Sequence, residues 1–238
     1  NIQKPLIALH EHNEESQAKK LIALLQAGES IAIISDAGTP LISDPGFKLV
    51  KLAQTNNIRV IPIPGPCALI AAISASGLPT DRFVFEGFLP AKSPARKAKL
   101  KNLANETRTL IFYEAPHRLI STLSDLTEIF GNTRTAVLAR ELTKVFETIR
   151  LGTLQELMTF VTSDPNQQKG EIVIVVAGAI QPQNSDVNKF SGEVRNLLMT
   201  LLTELPLKQA VTITAKITNL RKKELYTYAL KLLQKLPK

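Results

Sequence analysis

Three short polar stretches of the chain could carry chemistry, and each directly follows an apolar stretch. In Ser35–Gly38, Asp36 is the first side chain able to hold a hydroxyl or a cation. Glu114–Arg118 combines a carboxylate, an imidazole and a guanidinium, and Arg140–Lys144 adds two further cations. Such groups suit proton transfer and anion binding, and ligands of open α/β sheets bind beyond the carboxyl ends of strands. The pattern therefore predicts polar side chains at the ends of buried strands.

Each of these stretches also has an ordinary structural interpretation. Asp36 could cap a helix, residues 114–118 could form an ion-paired helix start, and residues 140–144 could hold surface ion pairs. Pro116 disfavours helical geometry at Ala115, which keeps the second stretch a loop ahead of the next helix. Taken by themselves, the residues leave both interpretations open.

A further loop, Pro64–Ala68, contains Gly65 between two prolines and precedes a segment rich in small residues. It brings the backbone N–H groups of Gly65, Cys67 and Ala68 toward the end of a strand and the start of a helix. Such groups suit a carboxylate or another polar part of a ligand. A rigid turn with no ligand is an equally good local interpretation.

Apolar runs and helical stripes predict the elements that position these loops. Strands are predicted at 31–34 (buried on both faces), 58–63, 83–87, 109–113, 135–139, 148–151 and 170–176. Helices are predicted at 14–27, 47–54, 68–74, 92–103, 119–130 and 154–161, and two or three more close the chain. The order αβαβα over residues 14–74 predicts a parallel sheet with covering helices, and the chain as a whole is predicted to be α/β.

The composition narrows the class of protein. Of 238 residues, 44% are hydrophobic, which allows a substantial core, and no apolar run approaches the roughly 18 residues of a membrane span. One cysteine excludes an internal disulfide and suits the cytoplasm, and one Cys with three His argues against a zinc site. A net charge of +8 favours a polyanionic partner.

Six motifs resemble, in order, those of one known family. Ser35–Gly46, with the sequence SDAGTPLISDPG, resembles the signature of the ribosomal RNA small-subunit methyltransferase I family, which are 2'-O-ribose cytidine methyltransferases of the tetrapyrrole methylase superfamily. The other matching motifs lie at 62–68, 76–83, 85–90, 109–118 and 139–144. Because the motifs recur in order over nearly the whole chain, the resemblance is far more specific than any one of them.

The expected architecture is α/β, with two Rossmann-like lobes, tetrapyrrole methylase-like, and a small C-terminal helical tail. The turn at 77–80 divides the lobes, giving residues 1–77 and 78–181, and residues 181–185 form a linker to a tail at 186–238. The resemblance implies a further strand and loop ahead of the first residue, so we expect the first lobe to be incomplete.

The resemblance implies S-adenosyl-L-methionine as the cofactor. The residues expected to line its pocket are Asp36, Ala37, Gly38, Leu41, Cys67 and Ala68, with Leu41 against the apolar parts of the cofactor. The implied reaction is methylation of a cytidine 2'-hydroxyl in 16S ribosomal RNA near the decoding centre, with the RNA or the assembled small subunit as partner. A cytoplasmic homodimer without membrane association is expected.

Methyl transfer to a 2'-hydroxyl needs an in-line approach and a route for the hydroxyl proton. Glu114, His117 and Lys144 are the candidates for that proton transfer, and the sequence does not choose among them. The residues predicted to contact RNA are Lys92, Arg96, Lys97, Arg118, Arg140, Arg221, Lys222 and Lys223.

The tail carries nearly all of the net charge, since residues 189–238 contain ten basic and three acidic residues. Two short helices around Thr218-Asn219 predict a helix-turn-helix-like unit, with Arg221, Lys222 and Lys223 opening the second helix. Two alternative functions stay open: methylation of a corrinoid or sirohaem precursor, and RNA binding without catalysis.

Overall fold

The computed structural model describes residues 3–180, 190 and 192–233, which divide into two compact units. The units are Asn1–Ala179 and Ile180–Lys238. Their boundary lies next to the predicted linker at 181–185, which falls outside the described residues. The predicted division of the first unit at residue 77 stays a prediction.

The first unit contains one five-stranded sheet and six α-helices among its described residues. The strands are β1 (Phe83–Phe88), β2 (Thr109–Glu114), β3 (Thr135–Arg140), β4 (Thr148–Thr153) and β5 (Ile172–Val176). The helices are α1 (Glu14–Gln26), α2 (Phe47–Thr55), α3 (Ala68–Ala75), α4 (Ser93–Leu103), α5 (Leu119–Phe130) and α6 (Leu154–Ser163). The α/β class and the predicted strands from residue 83 onward are confirmed.

The sheet has the strand order β1-β2-β5-β3-β4. β1 runs parallel to β2, whereas β5 is antiparallel to both β2 and β3, and β4 is antiparallel to β3. β1, β2 and β3 therefore share one direction, and their carboxyl ends meet at one edge of the sheet, which we call the carboxyl edge. The loops after these three strands lie at that edge.

Both faces of the sheet are covered, because alternate residues of each strand point to opposite sides. Phe112, Leu138 and Ile174 lie in the larger core, under α4, α5 and α6. On the opposite face, Ile111 and Val175 pack against α3. Burial on both faces explains why the β2 and β5 sequences are continuously apolar.

The strands predicted at 31–34 and 58–63 are wrong. The described part of the chain gives these segments no ladder of hydrogen bonds with a neighbouring strand, so the parallel sheet predicted for residues 14–74 is wrong as well. Ile31, Ile33 and Ile58 pack against a small core of α1 and α2, while Ile34 and Ile63 are 77% and 81% exposed. Ile31 and Ile33 are only half-buried and their neighbours are exposed, so the prediction of burial on both faces at 31–34 is also wrong, and in 58–63 only Ile58 is half-buried.

The second unit consists of three helices, α7 (Gly192–Glu204), α8 (Leu207–Thr218) and α9 (Lys222–Leu233). Leu198, Val211 and Leu225, one from each helix, are fully buried in a common core. Asn219 adopts a left-handed conformation that ends α8 and opens the turn to α9. In neither unit does a described helix have the length and apolar character needed to cross a bilayer.

Candidate functional site

The carboxyl edge brings together two of the three predicted polar stretches. Glu114 at the end of β2 and Arg140 at the end of β3 are both in register with Ile172 of the intervening β5. Neighbouring strands are about 4.8 Å apart, so the two charged residues start about 10 Å from each other. This row of the sheet carries the loops that follow, 115–118 and 141–147.

Glu114 is buried and its carboxylate is fully used in holding the first loop. One oxygen, Oε1, accepts hydrogen bonds from Arg118 Nε (2.9 Å) and Nη2 (2.6 Å) and from the Ala115 N–H (2.7 Å). The other accepts from the Thr122 hydroxyl at 2.5 Å, and the residue is only 3% exposed. The geometry therefore favours the ion-paired helix start for Glu114 and Arg118, and neither group is presented to a ligand.

His117 occupies the same loop but faces outward. It lies in a short 3₁₀ turn, Pro116–Arg118, and is exposed. Its ring makes no hydrogen bond within the ranges that the structure describes. Of the three candidates for proton transfer, His117 is therefore the one with both ring nitrogens available.

Arg140 is also buried, at 7% exposure, and it organises the second loop. Its guanidinium donates to the carbonyls of Phe146 (2.9 Å) and Lys169 (3.4 Å), to the Gln167 side chain (3.1 Å) and to the Thr148 hydroxyl (3.3 Å). The predicted contact of Arg140 with RNA is therefore corrected, because this side chain is committed to the interior of its own loop.

Lys144 lies on the second loop between two carboxylates. Its Nζ is 2.9 Å from Glu141 Oε1 and 3.2 Å from Glu171 Oε2. The hydrogen bond to Glu141 raises the pKa of Lys144 above its usual 10.5. Hydrogen bonds from the Glu171 N–H and from Lys144 lower the pKa of Glu141. A lysine held in its charged form cannot accept a proton, so the geometry favours Lys144 as a cation rather than as a base.

The two predicted cofactor loops contact each other, as the prediction of a common pocket requires. The Thr39 hydroxyl donates to the Pro66 carbonyl at 2.7 Å, and Gly38 lies beside the same carbonyl with a φ of 73°. Asp36 and Ala37 are exposed on this loop. Ala68 is the first residue of α3, directly after Cys67.

Leu41 folds back on its own loop. It is held at a φ of 71°, which is unusual for a leucine, and its side chain lies over Gly46, where any larger residue would collide with it. A shallow hollow of about 340 Å³ adjoins this loop and is lined in part by Ser43, Asp44 and Phe88. The loop therefore borders open space at the end of β1.

Tyr113 is a site residue that sequence reasoning did not single out. Its ring packs edge-on against Phe85 and Phe88, and its hydroxyl accepts a hydrogen bond from the Leu69 N–H at 3.2 Å. Burial raises the pKa of Tyr113 to about 12. The Tyr113 hydroxyl therefore stays neutral at physiological pH. It lies between the start of α3 and the carboxyl edge.

Of the predicted RNA contacts Lys92, Arg96 and Lys97, at and just before the start of α4, not all are presented to solvent. Arg96 is 2% exposed, and its Nε donates to Asp125 at 2.6 Å, so its predicted RNA contact is corrected. Lys97 is paired with Glu128 at 2.6 Å, whereas Lys92 is exposed just before the helix. In the second unit Arg221, Lys222 and Lys223 are all exposed at the start of α9.

Comparison with known proteins places both units in recognised families. Residues 3–158 match the family model described as Tetrapyrrole (Corrin/Porphyrin) Methylases, and residues 189–233 match the RsmI C-terminal HTH domain. The ribosomal RNA small subunit methyltransferase I of Pseudomonas aeruginosa is 56% identical over 96% of this chain and 80% of its own length. The enzyme of that name from Haemophilus influenzae is 50% identical over 98% and 82%.

The chain belongs to the ribosomal RNA small subunit methyltransferase I family. The predicted recognition, the tetrapyrrole methylase-like fold and the C-terminal helical tail are thereby confirmed. Among solved structures, the methyltransferase CobJ superposes with a TM-score of 0.53 at 19% identity, over 72% of this chain and 74% of its own. At that identity the likeness shows the fold alone.

Proposed function

We propose that this protein transfers a methyl group from S-adenosyl-L-methionine to the 2'-hydroxyl of a cytidine in 16S ribosomal RNA, near the decoding centre of the small subunit. The observation that carries the proposal is the identity of 50–56% to proteins named for small-subunit rRNA methylation, over nearly the whole chain. The positive charge and the helix-turn-helix unit agree with an RNA substrate. We assign the reaction to the cytoplasm, where such a substrate is found.

The cofactor is proposed to lie against the loops that carry Asp36, Gly38 and Cys67. The structure fits this assignment, because a side chain at Gly38 would fill space beside the Pro66 carbonyl and would be strained at a φ of 73°. Asp36 offers an exposed carboxylate for a ribose hydroxyl or an amine. When bound, the cofactor supplies an activated methyl group, so positioning by these loops provides much of the acceleration.

His117 is proposed to take the proton of the acceptor hydroxyl. S-adenosylmethionine held against the cofactor loops would supply its methyl group to the ribose oxygen and leave as S-adenosylhomocysteine, and a ring nitrogen of His117 would take the hydroxyl proton. Lys144, which its ion pairs hold in the charged form, is proposed to stabilise the attacking ribose oxygen or an adjacent phosphate. Glu114 acts indirectly, by fixing the loop that carries His117.

The helix-turn-helix unit is proposed to dock the RNA. Arg221, Lys222 and Lys223 are exposed where the positive end of the α9 dipole also favours phosphate. Replacing all three by Ala should make the plot of log K against log salt shallower by about 2 units. Each phosphate contact contributes about 0.7–0.9 to the steepness of that plot. An unchanged slope would show that these cations do not contact the backbone.

A second copy of the chain is proposed to cover an apolar strip at the sheet edge. Val145 and Phe146, in the loop before β4, are 92% and 72% exposed, and Ile149 and Leu151 of β4 are 40% and 59% exposed. β4 pairs only with β3 in the described sheet, so its other side is an open strand edge. Leu151→Glu should convert a dimer to monomers in analytical ultracentrifugation, and a monomeric wild type would contradict the assignment.

A tetrapyrrole acceptor is the competing function, because the matched family is described by corrin and porphyrin methylation. Radiolabelled S-adenosylmethionine should therefore be offered together with either 30S subunits, naked 16S RNA or uroporphyrinogen. We expect label in the RNA and none in the tetrapyrrole. Label only in the tetrapyrrole would overturn the proposal, and cofactor or RNA binding without any transfer would show a non-catalytic binding protein.

A further inference from the structure

Helix α3 begins without a cap of its own. The first N–H groups of any α-helix lack partners within the helix, and a Ser, Thr, Asp or Asn at the N-cap usually supplies an oxygen to one of them. The N-cap of α3 is Cys67, and its side chain makes no capping hydrogen bond. Its backbone is nevertheless in the extended conformation typical of N-caps, with φ −143° and ψ 113°.

Tyr113 of β2 provides the missing acceptor from across the fold. The Leu69 N–H, at the second position of α3, donates to the Tyr113 hydroxyl at 3.2 Å, and Leu69 is only 6% exposed. Phe85, at 4.9 Å between ring centroids, holds the tyrosine ring in place. A buried N–H with no other acceptor is costly, so this bond fixes where α3 starts.

The position of Tyr113 connects two parts of the site. Its hydroxyl contacts the first turn of α3, directly after Cys67, and its backbone directly precedes Glu114 and the loop that carries His117. After burial, the Cys67 thiol and the charge of Asp44 also raise the pKa of Tyr113, whereas the hydrogen bond from the Leu69 N–H lowers it.

We propose that Tyr113 is a positioning residue that caps α3 from β2 and thereby holds the Cys67–Ala68 loop in its cofactor-binding geometry. The proposal rests on the assignment of Cys67 and Ala68 to the cofactor pocket. Tyr113 does not exchange protons in this role. Its hydroxyl works as a fixed acceptor, and only the geometry of the loop depends on it.

The test is Tyr113→Phe in the full-length protein, with S-adenosylhomocysteine binding measured by calorimetry. Loss of one hydrogen bond to a buried group should weaken binding about threefold to tenfold. The KM for S-adenosylmethionine should rise by the same factor, while kcat at saturating cofactor and the KM for the 30S acceptor stay unchanged. Tyr226→Phe, in the helical unit, is the matched control and should leave cofactor affinity unchanged.

Cys67→Ser supplies the second arm, because serine at an extended N-cap can bond the helix N–H groups itself. In the Cys67→Ser background, Tyr113→Phe should weaken binding less than twofold. An equal loss in both backgrounds would overturn the capping role, as would unchanged affinity of Tyr113→Phe. If Tyr113→Phe alone does not fold, the double variant should regain a cooperative melt, and its failure to do so also contradicts the proposal. Absence of binding by the wild type would instead contradict the proposed function.

Discussion

The two loops of the carboxyl edge are built around buried ions of opposite sign. Glu114 holds the first loop with a full counter-charge, Arg118, at 2.6 Å. Arg140 holds the second loop through neutral acceptors, and in the described structure no carboxylate lies within ion-pair distance of it. The first loop is therefore fixed by a paired charge, and the second by several weaker bonds to one unpaired charge.

The second loop also stores backbone strain. Glu141 and Thr143 have φ values of 49° and 64°, and Glu141 packs so closely over Gly170 that any side chain there would collide with it. Strained residues persist only where their surroundings hold them in place. In both loops, the charged residue directly after the strand stabilises the loop itself. The next exposed residues, His117 and Lys144, are therefore the ones available to bind a ligand.

Glu114→Ala should have the largest effect, because it leaves the half-buried Arg118 without its counter-charge and the buried Thr122 hydroxyl without its acceptor. We expect a loss of about 3–5 kcal/mol in the free energy of unfolding, measured by denaturant titration. Glu147→Ala is the matched control, since this exposed carboxylate accepts one backbone hydrogen bond in the other loop, from Thr143 at 2.7 Å. If Glu114→Ala loses no more unfolding free energy than the control, the ion pair does not stabilise the first loop.

His117→Ala should come next, as a kinetic effect without a structural one. Removing a general base costs about 100-fold or more in rate, so single-turnover methyl transfer should slow by that factor while the melting temperature stays within 1–2 °C of the wild type. His12→Ala, which removes another exposed histidine, should transfer at the wild-type rate. Equal rates for the His117→Ala variant and the wild type would mean that the acceptor proton leaves by another route.

Arg140→Lys should cost about 1–3 kcal/mol of unfolding free energy, less than Glu114→Ala. A lysine keeps the charge but cannot reproduce the forked donors that reach Phe146, Gln167 and Lys169, so buried acceptors lose their partners. Arg59→Lys is the control, because Arg59 is exposed and this change should alter stability by less than about 0.5 kcal/mol. If Arg140→Lys loses as much unfolding free energy as Glu114→Ala, the proposed difference in how the two loops are stabilised is contradicted.

Lys144→Met should have the smallest effect on stability, under about 1 kcal/mol, because its ion pairs are solvent-exposed. The pKa of Lys144 is raised, so its pairs with Glu141 and Glu171 are present at neutral pH and are lost only as the pH rises through that raised value. The stability difference between variant and wild type should therefore be constant from pH 7 to 9. A difference that shrinks within that range would contradict the raised pKa.

The sequence predicted the sheet well where burial on both faces forces an apolar run, as in β2 and β5. It failed at 31–34 because an apolar run records burial, whereas a strand also needs a neighbour to complete its hydrogen bonds. The local motifs placed two loops, those after Glu114 and Arg140, correctly at strand ends. Their spacing could not show which of the charged side chains turn inward.

The inward-facing charges depend on partners distant in sequence. Arg140 is held by residues 27 and 29 positions away, Gln167 and Lys169, and Arg96 is held by Asp125, 29 positions away. Tyr113 was missed for the same reason, since its partner Leu69 is 44 positions earlier. Contacts of this kind follow from the packing of helices onto the sheet and leave no periodic trace in the chain.

The most direct test is to locate the transferred methyl group. The wild-type protein is incubated with radiolabelled S-adenosylmethionine and 30S subunits, and the recovered 16S RNA is hydrolysed in alkali. A 2'-O-methyl group blocks cleavage of the adjacent phosphodiester, so the account predicts that the label appears in one alkali-resistant dinucleotide with a 5' cytidine. Label recovered in mononucleotides would place the methyl group on a base and would contradict the account.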